Sequence, residues 1–166
     1  MATVFPSILS FDLICQDKAY IIKKHMGNVS EHFNNQDFAC RCPACRGEYR
    51  IHLGLVGALE MIGTNFHKKV QVVSGFWCDD FHEKQNKTKR SFHTKGKAAH
   101  IKIEGVTPQD VFKFAETIPE LRGLVFYPGQ DFIHVDTRQT DEPVRTVKEG
   151  ANYTPLTTSS RAKYGL

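Results

Sequence analysis

Four short runs of apolar and β-branched residues constrain most strongly what this chain can fold into. They lie at residues 70–76, 98–103, 123–127 and 132–137, each of strand length, and Pro128-Gly129 marks a turn between the last two. Helical patterns occupy other places. Residues 12–26 carry Leu13, Ile14, Ile21 and Ile22 and stop at Gly27. Residues 51–62 place Leu53, Val56, Leu59 and Ile62 at a spacing of three, which predicts a buried helix. Thr107-Pro108-Gln109-Asp110 has a capping hydroxyl, a proline at the first helical position and an acid in the first turn, so a helix is expected from there to about Ile118. Residues 34–50 read as loop, 79–90 as exposed and polar, and 139–166 as a polar tail, surface-hugging or partly disordered. Helices first, then strands with one helix among them, give an α+β fold with a small antiparallel or mixed sheet.

Bulk properties fit one domain over residues 1–166. Hydrophobic residues are 40% and charged residues 24% of the chain, an ordinary balance for a packed core. The net charge of +4 is too small to argue for nucleic acid, and no nucleic-acid partner is expected. No stretch approaches the roughly 20 apolar residues of a membrane span, so no membrane insertion is expected. Asp12, Gln16, Asp17 and Lys18 interrupt the N-terminal region, which does not read as a signal peptide. The chain is therefore expected to be cytoplasmic as synthesised, with delivery by another route if it acts outside the membrane.

Five cysteines without a leader argue against a full disulfide framework. Cys40, Cys42 and Cys45 form Cys-x-Cys-x-x-Cys, which can hold a structural zinc if a fourth ligand such as His52 or water joins them. The competing reading, reduced thiols in a turn, is preferred here because no second closely spaced pair follows.

Of eight histidines, His25, His32, His52, His67 and His82 sit in polar or mixed contexts and read as surface or hydrogen-bonding residues. His93 ends a polar loop and His100 falls in the next strand, with Gly96 between them to take an unusual backbone dihedral. On the last strand, alternation puts Phe132, His134 and Asp136 on one face and Ile133 and Val135 in the core. A paired His and Asp can be either a built site or a structural hydrogen bond.

The segments VSGFWCDD, SFHTKGKAAHIKIEGV and GLVFYPGQDFIHVDTR together resemble the zinc D-Ala-D-Ala carboxypeptidase family of metallopeptidases. That family's usual forms are Ser-Gly-Tyr-Arg, Ser-x-His-x-x-Gly-x-Ala-x-Asp and Phe-[Ile/Val]-His-[Val/Ile]-Asp. HFNNQDFACRC resembles the family's entry segment, so the likeness covers about residues 29–138. It implies the fold shared with the hedgehog signalling domain, one zinc ion, and hydrolysis of peptide bonds in peptidoglycan stems. Matched by position, His93 and His134 are metal ligands, and His100 stands where the family has Asp. Trp77 stands where the family has a substrate-holding Arg, and it lacks the fork that grips a carboxylate. Lys87, Lys89 or Arg90 are candidates to compensate. Ser91 is a further substrate-binding candidate. Asp131, three residues before His134, matches the spacing of the catalytic base, although simple alternation points it to the opposite face unless the Pro-Gly-Gln turn re-aims it. Asp136 is then expected to orient the site. The alternatives are a phage-type peptidoglycan endopeptidase and a non-catalytic wall-binding or zinc-stabilised structural protein.

Overall fold

A computed structural model describes residues 29–86 and 91–166. The helix expected over residues 12–26, and Lys87, Lys89 and Arg90, lie outside the described residues. The elements run as a short 3-10 helix (Asn35–Phe38), α1 (Leu53–Phe66), β1 (Val70–Ser74), α2 (Asp79–Asn86), β2 (Ala98–Ile103), α3 (Pro108–Ala115), β3 (Gly123–Phe126), β4 (Ile133–Asp136), β5 (Val144–Glu149), β6 (Asn152–Pro155) and α4 (Thr158–Tyr164). The architecture is α+β, as the patterns indicate.

All four expected strands form, and they pair as the centre and one edge of a six-stranded sheet in the order β1-β2-β4-β3-β5-β6. Every pairing is antiparallel except β3 with β5. Alternation decides the faces. Ala99, Ile101 and Ile103 of β2 and Ile133 and Val135 of β4 are buried in one cluster with Leu55, Leu59 and Ile62 of α1 and Val111, Phe112 and Ala115 of α3. The intervening residues of the same strands, Ala98, His100, Lys102, His134 and Asp136, therefore share the other face.

The helix start at residue 107 is built as expected: the Thr107 hydroxyl accepts the Asp110 amide hydrogen, and Pro108 opens α3. Helix α1 outruns its apolar periodicity by a turn. Phe66 packs edge-on against Phe114, with centroids 5.7 Å apart, and His67 ends the helix in a left-handed conformation. Within the segment read as exposed and polar, Asp79–Asn86 form α2, which begins with Asp79 and Asp80, both favourable at a helix N-terminus. His82 on this helix is buried against Trp77, in place of the expected surface or hydrogen-bonding role.

The largest departure is at the C-terminus. Residues 139–166 are not a loose tail: β5 lies parallel to β3, β6 pairs with β5, and α4 follows. Val147 is buried, and Leu156, Tyr164 and Leu166 pack on the core. The segment is polar because most of its strand residues face water. It is held by ladder hydrogen bonds and by Glu116, which pairs with both Arg145 and Arg161. No helix among the described residues is long and apolar enough to cross a membrane.

Candidate metal centre

Strand register builds the site. His100 of β2 lies directly opposite His134 of β4, and Ser74 at the end of β1 lies opposite His100. His93 arrives from the loop before β2. Gly96 makes that loop possible: its φ is +65°, and an added Cβ would sit 2.5 Å from the backbone of Arg50. One ring nitrogen from each of His93, His100 and His134 lies within 4.8 Å of the others.

The hydrogen-bond partners fix which nitrogen two of the imidazoles offer. His93 Nδ1 lies 2.6 Å from the Gly75 carbonyl, an acceptor only, so Nδ1 carries the hydrogen and Nε2 keeps its lone pair. His134 Nε2 lies 2.9 Å from Asp136 Oδ2, and the same logic leaves Nδ1 free to bind. Those two free nitrogens, His93 Nε2 and His134 Nδ1, are 3.2 Å apart. Tetrahedral zinc with bonds of about 2.0–2.1 Å to nitrogen needs an edge of about 3.3–3.4 Å. The donor set therefore fits a small divalent cation. His100 Nε2 meets the Tyr127 hydroxyl at 3.2 Å.

Burial, then the neighbouring His134, pushes His93 down to about 3, and the same two causes push His100 down to about 2. Both rings are neutral near pH 7, the state in which imidazole binds metal. Burial opposes ionisation of Asp136, but the Arg138 guanidinium and His134 outweigh it and hold the carboxyl well below the usual range. Arg138 Nε and the Arg138 backbone N–H both donate to Asp136 Oδ1, and Arg138 Nη2 donates to Oδ2 at 2.6 Å. Asp136 thus orients His134 from a fully buried position.

The other candidates fall in less central places. Trp77 stacks flat on His93, with centroids 4.3 Å apart, and its indole N–H donates to Ser74 Oγ at 2.6 Å. Ser91 Oγ accepts the His93 amide hydrogen and so shapes the turn that delivers this ring. Asp131 precedes β4 and is 69% exposed. Its carboxylate accepts from Lys102 Nζ at 2.7 Å, and Lys102 shares the face of β2 that carries His100. Simple alternation therefore does not govern Asp131. Lys102 holds its carboxyl below the ordinary value. Sequence reasoning passed over Tyr127 and His82. Tyr127 was legible as the last residue of an apolar run, but nothing local pointed it at His100. His82 Nε2 is buried without a hydrogen-bond partner among the described residues.

Comparison with known proteins gives three findings. The family model described as Peptidase M15 matches residues 31–136. The peptidoglycan L,D-endopeptidase MepK of Escherichia coli strain K12 is 33% identical over 82 residues, covering 46% of this chain and 43% of that protein. The probable peptidoglycan L,D-endopeptidase MepK of Haemophilus influenzae is 45% identical over 60 residues, covering 36% of this chain and 30% of that protein. The chain thus spans less than half the length of these curated relatives. No solved structure gives a significant match.

Proposed function

Because the chain belongs to the peptidase M15 family, we propose that it is a zinc-dependent peptidase acting on the stem peptides of peptidoglycan, cutting an internal bond rather than releasing a terminal D-alanine. The observation that carries this reading is the convergence of three imidazoles, two of which, His93 and His134, are buried and oriented by an acceptor on the far nitrogen. Zinc held by His93, His100 and His134 would supply a Lewis acid that polarises a carbonyl and acidifies water toward neutrality.

The remaining chemistry belongs to the chain. Asp136 keeps the proton of His134 on Nε2, and the Gly75 carbonyl keeps that of His93 on Nδ1. Asp131 is the proton acceptor in this reading: it is ionised, accessible and on the His100 side, and Lys102 must yield its hydrogen bond when the proton arrives. Ser91 retains a hydroxyl hydrogen to donate to the substrate backbone, and Trp77 and Tyr127 offer aromatic walls.

Trp77 favours internal cleavage. Its single polar hydrogen is already committed to Ser74, and Arg138 is committed to Asp136, so neither can grip a terminal carboxylate. The names of the relatives, L,D-endopeptidases, agree with that choice over a carboxypeptidase. A second reading, a non-catalytic zinc-stabilised module, draws on the engagement of both carboxylates, Asp131 and Asp136, in ion pairs. Incubating the zinc-loaded chain with purified peptidoglycan and analysing the muropeptides by mass spectrometry separates these. New peptide termini inside the stem support the proposal, free D-alanine moves it to carboxypeptidase action, and unchanged muropeptides favour the non-catalytic module.

A further inference from the structure

Sequence spacing brings Cys40, Cys42 and Cys45 together, and the fold adds the ligand that spacing cannot show. One Sγ from each of Cys40, Cys42, Cys45 and Cys78 lies within 4.8 Å of the others. Cys78 Sγ is 3.7 Å from Cys40 Sγ and 3.4 Å from Cys42 Sγ. A disulfide requires about 2.05 Å, and all four are free thiols. A tetrahedron of zinc–sulfur bonds of about 2.3 Å has edges of about 3.8 Å. The fourth ligand is thus a thiol from the far side of α1 and β1 in sequence, and not His52.

Two backbone amides already point at these sulfurs. The Cys45 N–H lies 3.3 Å from Cys42 Sγ, and the Cys78 N–H lies 3.4 Å from Cys40 Sγ. Such donors stabilise thiolates. The Cys42-Pro43-Ala44-Cys45 turn is closed by left-handed conformations at Arg46 and Gly47, which bring the chain back so that Glu48 N–H reaches the Cys45 carbonyl.

We propose that Cys40, Cys42, Cys45 and Cys78 form a structural zinc site, closed by four thiolates and separate from the three histidines. Binding releases the thiol protons to solvent and leaves the zinc–sulfur unit with a charge of about −2, since four thiolates meet one divalent ion. Arg41 and Arg46 flank the ligands in sequence. A second metal departs from the single zinc that the sequence and family likeness predict. Its position gives it a role. The loop holding Cys40 is joined to the segment after β1 by the Phe76 N–H to the Phe38 carbonyl, at 2.7 Å. That same segment supplies the Gly75 carbonyl and the Trp77 ring to His93. Zinc on Cys78 would pin the support of His93 to the body of the protein.

The test uses the whole chain in a Cys15→Ser background, purified with zinc and a reductant. Two zinc ions per chain are expected, one after His134→Ala, and one after the paired change Cys42→Ser with Cys45→Ser. If the cysteine variant fails to fold, cobalt decides. Cobalt-loaded His134→Ala should show intense thiolate-to-cobalt charge transfer, and a mercurial that caps thiols should release one equivalent of metal from it. Only one zinc in the parent chain, absent after His134→Ala, would overturn the site. So would four thiols that alkylate freely in the zinc-saturated native chain, or bound iron in place of zinc. His134→Ala empties the histidine centre without touching the cysteines, so failure of the peptidase reading and failure of this one are told apart.

Discussion

Gly123 sits opposite Asp136 across β3 and β4, and an added Cβ would lie 2.2 Å from one carboxylate oxygen and 2.4 Å from Arg138 Nε. No flexible neighbour can give way, because both atoms belong to a buried ion pair. Gly123→Ala is therefore expected to cost roughly 3 kcal/mol, the range for breaking a buried pair, and to lower zinc retention as His134 loses its partner. Urea unfolding gives the first quantity and chelator competition the second. A stability change below about 0.5 kcal/mol would show that the pair is not as confined as the geometry states. Asp136→Asn tests the same support more gently. It keeps the shape but removes the charge that fixes the His134 tautomer, and zinc affinity should fall about 10- to 100-fold. At His100, the family's Asp should still coordinate: His100→Asp is expected to hold zinc through dialysis against a mild chelator, and His100→Ala to lose most of it. Unchanged retention in His100→Ala would remove His100 from the ligand set. Much of this centre was legible residue by residue, since alternation alone put His134 and Asp136 on one face and the motif spacing paired His93 with His100. Cys78 was not, because its partners lie more than 30 residues away in sequence and only the return of the chain after β1 unites them.

Among the elements, β1 to β4 and α3 announce themselves because each buries an apolar face that leaves a period in the sequence. Strand β5 leaves almost none. Val144-Arg145-Thr146-Val147-Lys148-Glu149 has one fully buried residue, Val147, and its place is decided by backbone pairing with β3 and by the Glu116 ion pairs. A charged strand held by its ladder looks like a solvated tail until its neighbour is known. The family model stops at residue 136, just before this segment. Deleting residues 139–166 would bare the hydrogen-bonding edge of β3 and uncover Phe126, which packs against Tyr164 at 5.8 Å between centroids. The shortened chain is expected to aggregate or to lose its cooperative thermal transition, as judged by size-exclusion chromatography and circular dichroism. A soluble product melting at the parent's midpoint would make β5, β6 and α4 an appendage.

For the whole molecule, the two strongly depressed histidines tie stability to pH. In the metal-stripped chain His93 and His100 stay neutral when folded, at about 3 and about 2, and take up a proton near 6.5 when unfolded. The unfolded state therefore binds more protons below that value. Stability is complete above about pH 6.5 and declines as pH falls toward the folded values, by roughly 2 kcal/mol per histidine between pH 7 and 5. Urea midpoints of the stripped protein across that interval check the sign, and a flat profile would mean that the rings are solvated without metal. Saturating zinc should raise the midpoint at pH 7 and sharpen the loss on acidification, since protons then compete directly for the ligand nitrogens. Strand β2 is paired on one side with β1 and on the other with β4, and β4 is paired with both β2 and β3. Neither strand has a free edge along which its histidine could swing aside. Their side chains project from the face of the sheet, so an ion held there can leave while the strands stay paired, and exchange of isotopically labelled zinc should run ahead of the slowest amide hydrogen exchange along β2 and β4.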